Sequence, residues 1–132
     1  MQATGTFEVI LTPQERSHSD SDPLLARLSI DKTFRGDLEA TSTGEMLSAG
    51  TAVKGSAGYV ALEKVRGSLH GRSGEFALTH IGTLNRGASS LSITVVPDSG
   101  TDELIGLSGA MNIVIADGQH SYTFDYAVDT HS

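Results

Sequence analysis

Three ionisable residues, Lys32, Glu63 and His80, stand in the same alternating phase as apolar residues. The apolar residues in that phase are Ile30 and Phe34 for Lys32, Ala61 and Val65 for Glu63, and Phe76 and Leu78 for His80. If these faces point inward, ionisable groups from three segments meet inside the protein. An unpaired buried charge costs several kcal/mol, so such groups must pair, bind water, shift their pKa or meet a ligand. Glu63 and His80 are therefore the candidates for moving a proton.

Each of these residues also has a less specific interpretation. A bulge or a change of register would turn Lys32 or Glu63 toward solvent, because one extra residue moves a side chain to the opposite face of a strand. A buried His80 is commonly satisfied by the carbonyl of a neighbour. The sequence leaves both alternatives open.

Three tyrosines and two methionines share the apolar phase and would offer ring faces, hydroxyl groups and flexible side chains to a pocket. Ordinary core packing explains each of them equally well. With the three ionisable residues they complete the predicted ligand-binding set: Lys32, Met46, Tyr59, Glu63, His80, Met111, Tyr122 and Tyr126.

Motifs for established chemistries are missing from the chain. We find no glycine-rich phosphate loop, no dinucleotide fingerprint, no His-Glu-x-x-His and no Gly-x-Ser-x-Gly. The acidic stretch 98–103 lacks the spacing of a calcium loop, and the 5 histidines show no paired spacing of metal ligands. We therefore expect neither a metal nor a cofactor.

The elements that would position these residues are β-strands, because hydrophobicity alternates with period two almost throughout. About eight or nine such runs follow one another at short spacing, separated by clusters of Gly, Pro, Asn and Asp. Asp117-Gly118 is the strongest hairpin signal, with weaker turn signals at Arg35-Gly36-Asp37, Ser73-Gly74 and Asn85-Arg86-Gly87. Short connections favour an up-and-down antiparallel meander that closes into a barrel.

Helix is expected in only two short turns. Asp22-Pro23 could cap a turn through residues 24–26, and Thr101 could start one at residues 102–104. The polar loop at about 14–22 is expected to be mobile.

Length and charge narrow the class of protein. The 132 residues fit a single domain spanning 1–132, and the formal net charge of -7 argues against nucleic-acid binding. No apolar run is long enough to cross a bilayer, and the first residues lack the pattern of a secretory signal. With no Cys in the chain, we expect a cytoplasmic protein that does not bind membranes.

Several segments taken together resemble a bacterial family of uncharacterised small proteins whose fold is related to the allene oxide cyclase barrel. They are LSIDKTF at 28–34, GEMLSA at 44–49, GSAGYVALE at 55–63, LHGRSG at 69–74, VVPDSGT at 95–101 and HSYTFDY at 120–126. The resemblance extends over about residues 4–128. It implies an all-β, closed antiparallel eight-stranded up-and-down barrel of the allene-oxide-cyclase-like (calycin-like) kind. It implies no activity, because that family has no established reaction.

Three functions remain open at this point. A barrel of eight strands is just wide enough to be filled by its own side chains or to hold one small ligand. The first hypothesis is a small-molecule-binding barrel with an apolar lumen, whose partner is a hydrophobic or amphipathic molecule. The second is a cofactor-free isomerase or cyclase that acts on a hydrophobic substrate in the lumen. The third is a self-filled structural or interaction barrel, for which a homo-oligomer is one form of association.

Overall fold

The computed structural model describes residues 1–14 and 25–129, which form a closed barrel of eight antiparallel strands. Each strand pairs with the next along the chain, and the last pairs with the first. The strands are β1 (Gln2–Gln14), β2 (Leu25–Gly36), β3 (Leu38–Gly50), β4 (Ala57–Leu69), β5 (Arg72–Asn85), β6 (Ala88–Val95), β7 (Leu107–Ala116) and β8 (Gln119–Val128). The predicted up-and-down barrel is confirmed.

Side-chain burial alternates along the strands as the sequence period requires. In β3, for example, Leu38, Ala40 and Ser42 are buried, whereas Glu39 and Thr41 are exposed. Pairing between β2 and β3 runs without interruption from Leu25 opposite Ala49 to Phe34 opposite Ala40. Because the ladder has no bulge there, the inward phase read from the sequence is preserved along both strands.

Two-residue turns join several of the strands. Asp117 and Gly118 both have positive φ, 52° and 75°, which is the backbone of the tight turn that matches the twist of a hairpin. His70-Gly71 and Arg86-Gly87 have the same signs of φ. The hairpin signal at Asp117-Gly118 is therefore confirmed.

The turn predicted at Ser73-Gly74 is wrong, because both residues lie within β5 and the chain reverses at His70-Gly71. Gly74 has another role. A Cβ atom there would collide with the carbonyl oxygen of Thr101 and touch Leu104, so the glycine allows the segment after β6 to cross close over β5.

One 3-10 turn, Asp102–Leu104, closes one end of the barrel. It begins after Thr101, as predicted, and the Thr101 N–H donates to the Glu75 carbonyl at 2.9 Å. The turn buries Leu104, which is 1% exposed. The other predicted turn is not formed at Leu25 and Ala26, which begin β2; residues 15–24 lie outside the described part of the chain, as does most of the loop predicted to be mobile.

Large side chains fill the half of the barrel next to that turn, which we call the closed half. The Phe76 and Phe124 rings stack with centroids 5.9 Å apart, and the Phe124 and Tyr126 rings stack at 5.4 Å. Further buried members of this core include Phe34, Leu38, Val65, Leu69, Leu78 and Tyr122.

Within the described residues, no helix is long and apolar enough to span a membrane.

Leu104 seals the closed half, so its removal should be costly. We expect Leu104→Ala to lower the free energy of unfolding by about 2–5 kcal/mol, because a buried leucine leaves a cavity that the structure refills only in part. The neighbouring Ile105 is 65% exposed, and Ile105→Ala should change that free energy by less than about 0.5 kcal/mol. Urea unfolding of the two variants measures both values. Equal effects would show that the turn does not plug the barrel.

Candidate functional site

Four polar residues are buried in the described part of the chain, and they come from four consecutive strands. They are Lys32 on β2, Ser42 on β3, Glu63 on β4 and His80 on β5. Lys32 is directly opposite Ser42 in the register. Since neighbouring strands lie about 4.8 Å apart, inward side chains at matched levels come within hydrogen-bonding reach.

We call these four residues the buried cluster, and Glu63 is its centre. Oε1 of Glu63 accepts a hydrogen bond from Lys32 Nζ at 2.9 Å and lies 2.5 Å from His80 Nε2. Oε2 accepts a hydrogen bond from Ser42 Oγ at 2.6 Å. The alternative in which Lys32 or Glu63 turns toward solvent is wrong, because the two residues are 7% and 2% exposed. His80 is satisfied on one side by a carboxylate rather than by a backbone carbonyl.

The carboxyl group of Glu63 is ionised at neutral pH. Burial by itself would raise the pKa of Glu63, but the His80 hydrogen bond, the charge on Lys32 and the Ser42 hydroxyl together lower it to about 2. An ionised carboxylate can only accept hydrogen bonds, so His80 must carry a proton on Nε2. The other nitrogen of the imidazole ring, Nδ1, has no hydrogen-bond partner in the described part of the chain.

Next to the buried cluster lies a cavity of about 570 Å³. It occupies the half of the barrel opposite the Leu104 turn, and Lys32 and His80 form its floor. Most of its wall is apolar and comes from seven strands, with Val9, Ile30, Met46, Ala61, Leu84, Leu91 and Ile113 as one residue from each. The cavity is partly open to solvent, so a molecule can reach the floor from the barrel mouth.

The wall is least complete between β6 and β7. The register there joins only Ile93 to Met111 and Thr94 to Ala110, whereas neighbouring strands elsewhere pair over longer stretches. Leu91 and Ile113, which are next toward the mouth on these strands, both line the cavity. The cavity is therefore bordered on this side by side chains rather than by a continuous ladder of backbone hydrogen bonds.

The predicted ligand-binding residues divide between the cavity and the core. Lys32, Met46, Tyr59 and His80 line the cavity, and Glu63 lies behind its floor. Three others lie in the hydrophobic core and are not part of the cavity lining: Met111, Tyr122 and Tyr126.

The two core tyrosines have structural partners for their hydroxyl groups. Tyr122 Oη accepts from the Leu38 N–H at 2.9 Å and lies 3.1 Å from the Arg35 carbonyl, which ties β8 to the β2–β3 hairpin. Burial raises the pKa of Tyr122. Tyr126 Oη bonds His70 Nδ1, away from the cavity.

Sequence reasoning did not assign roles to Ser42 and His120. Ser42 was recognisable only as a small inward residue, and its bond to Glu63 depends on strand register. His120 lines the cavity and packs on Phe7 with ring centroids 5.1 Å apart. Its signal was available, because His120 stands in the same alternating phase as Tyr122 and Phe124.

Within the described residues, no three His, Asp or Glu side chains are grouped so that they could hold a metal ion.

Comparison with known proteins identifies the family of the chain. A family model described as a protein of unknown function, DUF3224, matches residues 3–126. The chain belongs to the DUF3224 family. A crystal structure of a protein of unknown function from this family, from Shewanella oneidensis MR-1, is 50% identical and superposes with a TM-score of 0.92 over 98% of each chain. None of the curated proteins matches the chain. The resemblance to a family of uncharacterised proteins with a bacterial member is confirmed.

The ionised Glu63 should make this DUF3224 barrel sensitive to acid. Its folded-state pKa of about 2 is below the ordinary value of 4.5, so the carboxylate stabilises the fold fully above about pH 4.5 and loses that contribution as the pH falls toward about 2. The difference corresponds to about 3 kcal/mol. Carboxyl carbon NMR of the wild-type protein should show Glu63 titrating near the lower value. A midpoint at or above the ordinary value would contradict the assignment.

Unfolding measurements provide the second readout. Glu63→Gln should weaken the dependence of the unfolding free energy on pH across that window, whereas Glu8→Gln, at an exposed position on β1, should leave it almost unchanged. Because Glu63→Gln leaves Lys32 buried without its anion, the variant will be destabilised. The wild-type titration is decisive even where that variant fails to fold.

Proposed function

We propose that this barrel binds one small hydrophobic or amphipathic molecule in the cavity above the buried cluster. The observation that carries the proposal is the combination of a cavity of about 570 Å³ with an apolar wall and a polar floor. Pockets for small organic molecules occupy about 300–1,000 Å³, are mostly apolar and contain few polar groups. An eight-stranded barrel can enclose one such molecule.

Exposed apolar side chains at the mouth support the proposal. Leu11, Leu91 and Ile115 line the cavity yet remain 48%, 44% and 65% exposed. Covering such surface with a ligand is worth about 25 cal/mol for each Å² removed from water. The alternative of a barrel filled by its own side chains describes only the closed half.

The polar floor would fix the orientation of the bound molecule. Lys32 can donate further hydrogen bonds after the one to Glu63, and His80 retains Nδ1. One end of a ligand would meet these groups while its apolar body lies against Val9, Met46 and Leu91. This is why the proposed partner is a small molecule. The net charge of -7 supports neither a nucleic acid nor an anionic membrane surface as partner.

The resemblance to the allene oxide cyclase barrel belongs to the same proposal. The sequence segments quoted above and the up-and-down order of eight strands support a relationship to that calycin-like fold. The lack of Cys in the chain supports a cytoplasmic location.

Ser48 and Leu47 offer a matched pair of positions for testing the cavity. Ser48 lines the cavity, whereas Leu47 is 56% exposed on the outer face of β3. We expect Ser48→Phe to weaken the binding of Nile red, a neutral fluorescent probe, at least tenfold, because the ring occupies the cavity. Leu47→Phe should leave the affinity within about twofold. Fluorescence titration gives both constants. Equal affinities in the two variants would place the bound probe outside the barrel.

A second function, a cofactor-free isomerase or cyclase, is favoured by the fixed tautomer of His80. Glu63 holds the Nε2–H, so a neutral ring presents an unprotonated Nδ1 that can accept a proton. Lys32 beside it can stabilise the negative charge that develops on a carbonyl oxygen. Glu63 itself is unsuited to proton transfer, since its pKa is about 2 and both its oxygens are bonded. His80 would therefore move the proton, and Glu63 would position the His80 ring.

Hydrogen exchange tests this second function without a known substrate. In deuterated water, benzylacetone should exchange the protons next to its carbonyl faster with the protein than without it, because His80 removes one and solvent deuterium returns. His80→Gln keeps a donor for Glu63 but lacks the base, so exchange should fall to the background rate, as it should in Ser48→Phe. NMR follows the exchange. A binder without this activity would leave the exchange at the background rate in every sample.

A further inference from the structure

The cavity carries a charge pattern opposite to that of the protein as a whole. The formal net charge is -7, yet the described side chains that line the cavity include Lys32, His80 and His120 and no Asp or Glu. Tyr59 is the other ionisable residue in the lining, and burial followed by the charge of Glu63 raises its pKa, so its hydroxyl stays neutral. The site therefore presents donors and positive charge to whatever enters it.

Lys32 keeps donor capacity that no described residue uses. Its ammonium has three N–H groups, and Glu63 accepts one of them. The ammonium also lies 5.1 Å from the centre of the Phe7 ring and 5.7 Å from that of the Phe34 ring. Aromatic faces attract a cation but do not replace strong hydrogen-bond acceptors. A ligand atom with lone pairs beside Lys32 would supply the hydrogen-bond acceptor that these rings do not provide.

The charge count in the buried cluster selects the kind of acceptor. Glu63 supplies one negative charge, which Lys32 balances when His80 is neutral. For Nδ1 to donate to a ligand, His80 must take up a second proton, and the cluster then has one positive charge that no described acidic side chain near the floor balances. A ligand with one negative charge restores neutrality, whereas a doubly charged phosphate would bring a new unbalanced charge into a buried site.

We propose that the ligand is a monocarboxylate with an apolar body, whose carboxylate accepts hydrogen bonds from Lys32 Nζ and His80 Nδ1. This inference rests on the proposed binding of a small molecule in the cavity and names its chemical class. Hydrogen bonds between charged partners are about twice as strong as neutral ones, so a carboxylate gains more from these donors than an alcohol of the same shape. An amine of that shape would meet Lys32 with like charge.

Three matched ligands test the head group: phenylbutyrate, phenylbutanol and phenylbutylamine. In calorimetric titrations near neutral pH, we expect the carboxylate to bind at least tenfold more tightly than the alcohol, and the amine to bind most weakly. Decanoate, decanol and decylamine, each below its micelle concentration, repeat the comparison with a linear body. The better-bound carboxylate of the two sets identifies a ring or a chain as the body that fits the cavity.

Two lysine variants locate the source of the preference. Lys32→Met should reduce the ratio of carboxylate to alcohol affinity to about threefold or less, because it removes the charge at the floor. Lys64→Met removes the same charge from the outer face of β4, where that side chain is 43% exposed, and should leave the ratio unchanged. If Lys32→Met does not fold, the series of ligands on the wild-type protein decides the question alone.

The outcomes separate the two levels of the proposal. If all three head groups bind with similar affinity and Ser48→Phe abolishes binding, the cavity is a binding site and the monocarboxylate assignment is overturned. If Nile red and all six ligands fail to bind, the proposed function itself is overturned.

Discussion

The structure depends on keeping one ionised carboxylate out of water. Glu63 is 2% exposed and keeps a pKa of about 2, which is possible only because His80, Lys32 and Ser42 supply the bonds that water would otherwise provide. Those three partners lie on β5, β2 and β3. A shift of one residue in any of these strands would turn the partner's side chain to the outer face, and Glu63 would lose the hydrogen bond from that partner. The cluster thus opposes alternative registers of half of the barrel.

The same barrel is packed in two different ways on either side of the cluster. On one side, stacked aromatic rings and Leu104 fill the interior. On the other side, small residues such as Ser48, Ala61 and Gly82 stand among larger aliphatic ones, and a Cβ atom at Gly82 would collide with the Tyr59 ring. The glycine allows that ring to lie along the wall. Stacked rings therefore fill the closed half, whereas these small residues leave room for the cavity in the other half.

The alternation of hydrophobicity allowed the fold to be predicted closely, since period two and short turns leave few topologies other than a meander. The inward phase of Lys32, Glu63 and His80 could be read in the same way. What could not be read was the level of each residue along the barrel axis. Tyr122 and Tyr126 share the phase of His120, yet only His120 is near the mouth. Phase gives the face of a strand, whereas depth depends on the register around the whole barrel.

Depth also explains why Ser42 was overlooked. Its partner Glu63 is on the neighbouring strand, and the connection between β3 and β4 sets which residues meet. The register places Gly44, not Ser42, directly opposite Glu63, so the bond from Ser42 Oγ to Oε2 is diagonal. Turn chemistry did not specify this connection, because residues 51–56 contain no two-residue hairpin signal. An error of one residue pair would have placed Ser42 beyond reach of the carboxylate.

Stability alone does not account for the buried cluster. Replacing a buried ion pair with apolar side chains of similar volume is often neutral or stabilising, because desolvation offsets most of the attraction. The neighbouring closed half shows that this barrel can be filled with apolar residues. The cluster lies where the packed core ends and the cavity begins, and two of its members face that cavity. Polar groups at this boundary suit a binding site, because the packed core holds them rigid and dry on one side while the cavity makes them accessible on the other.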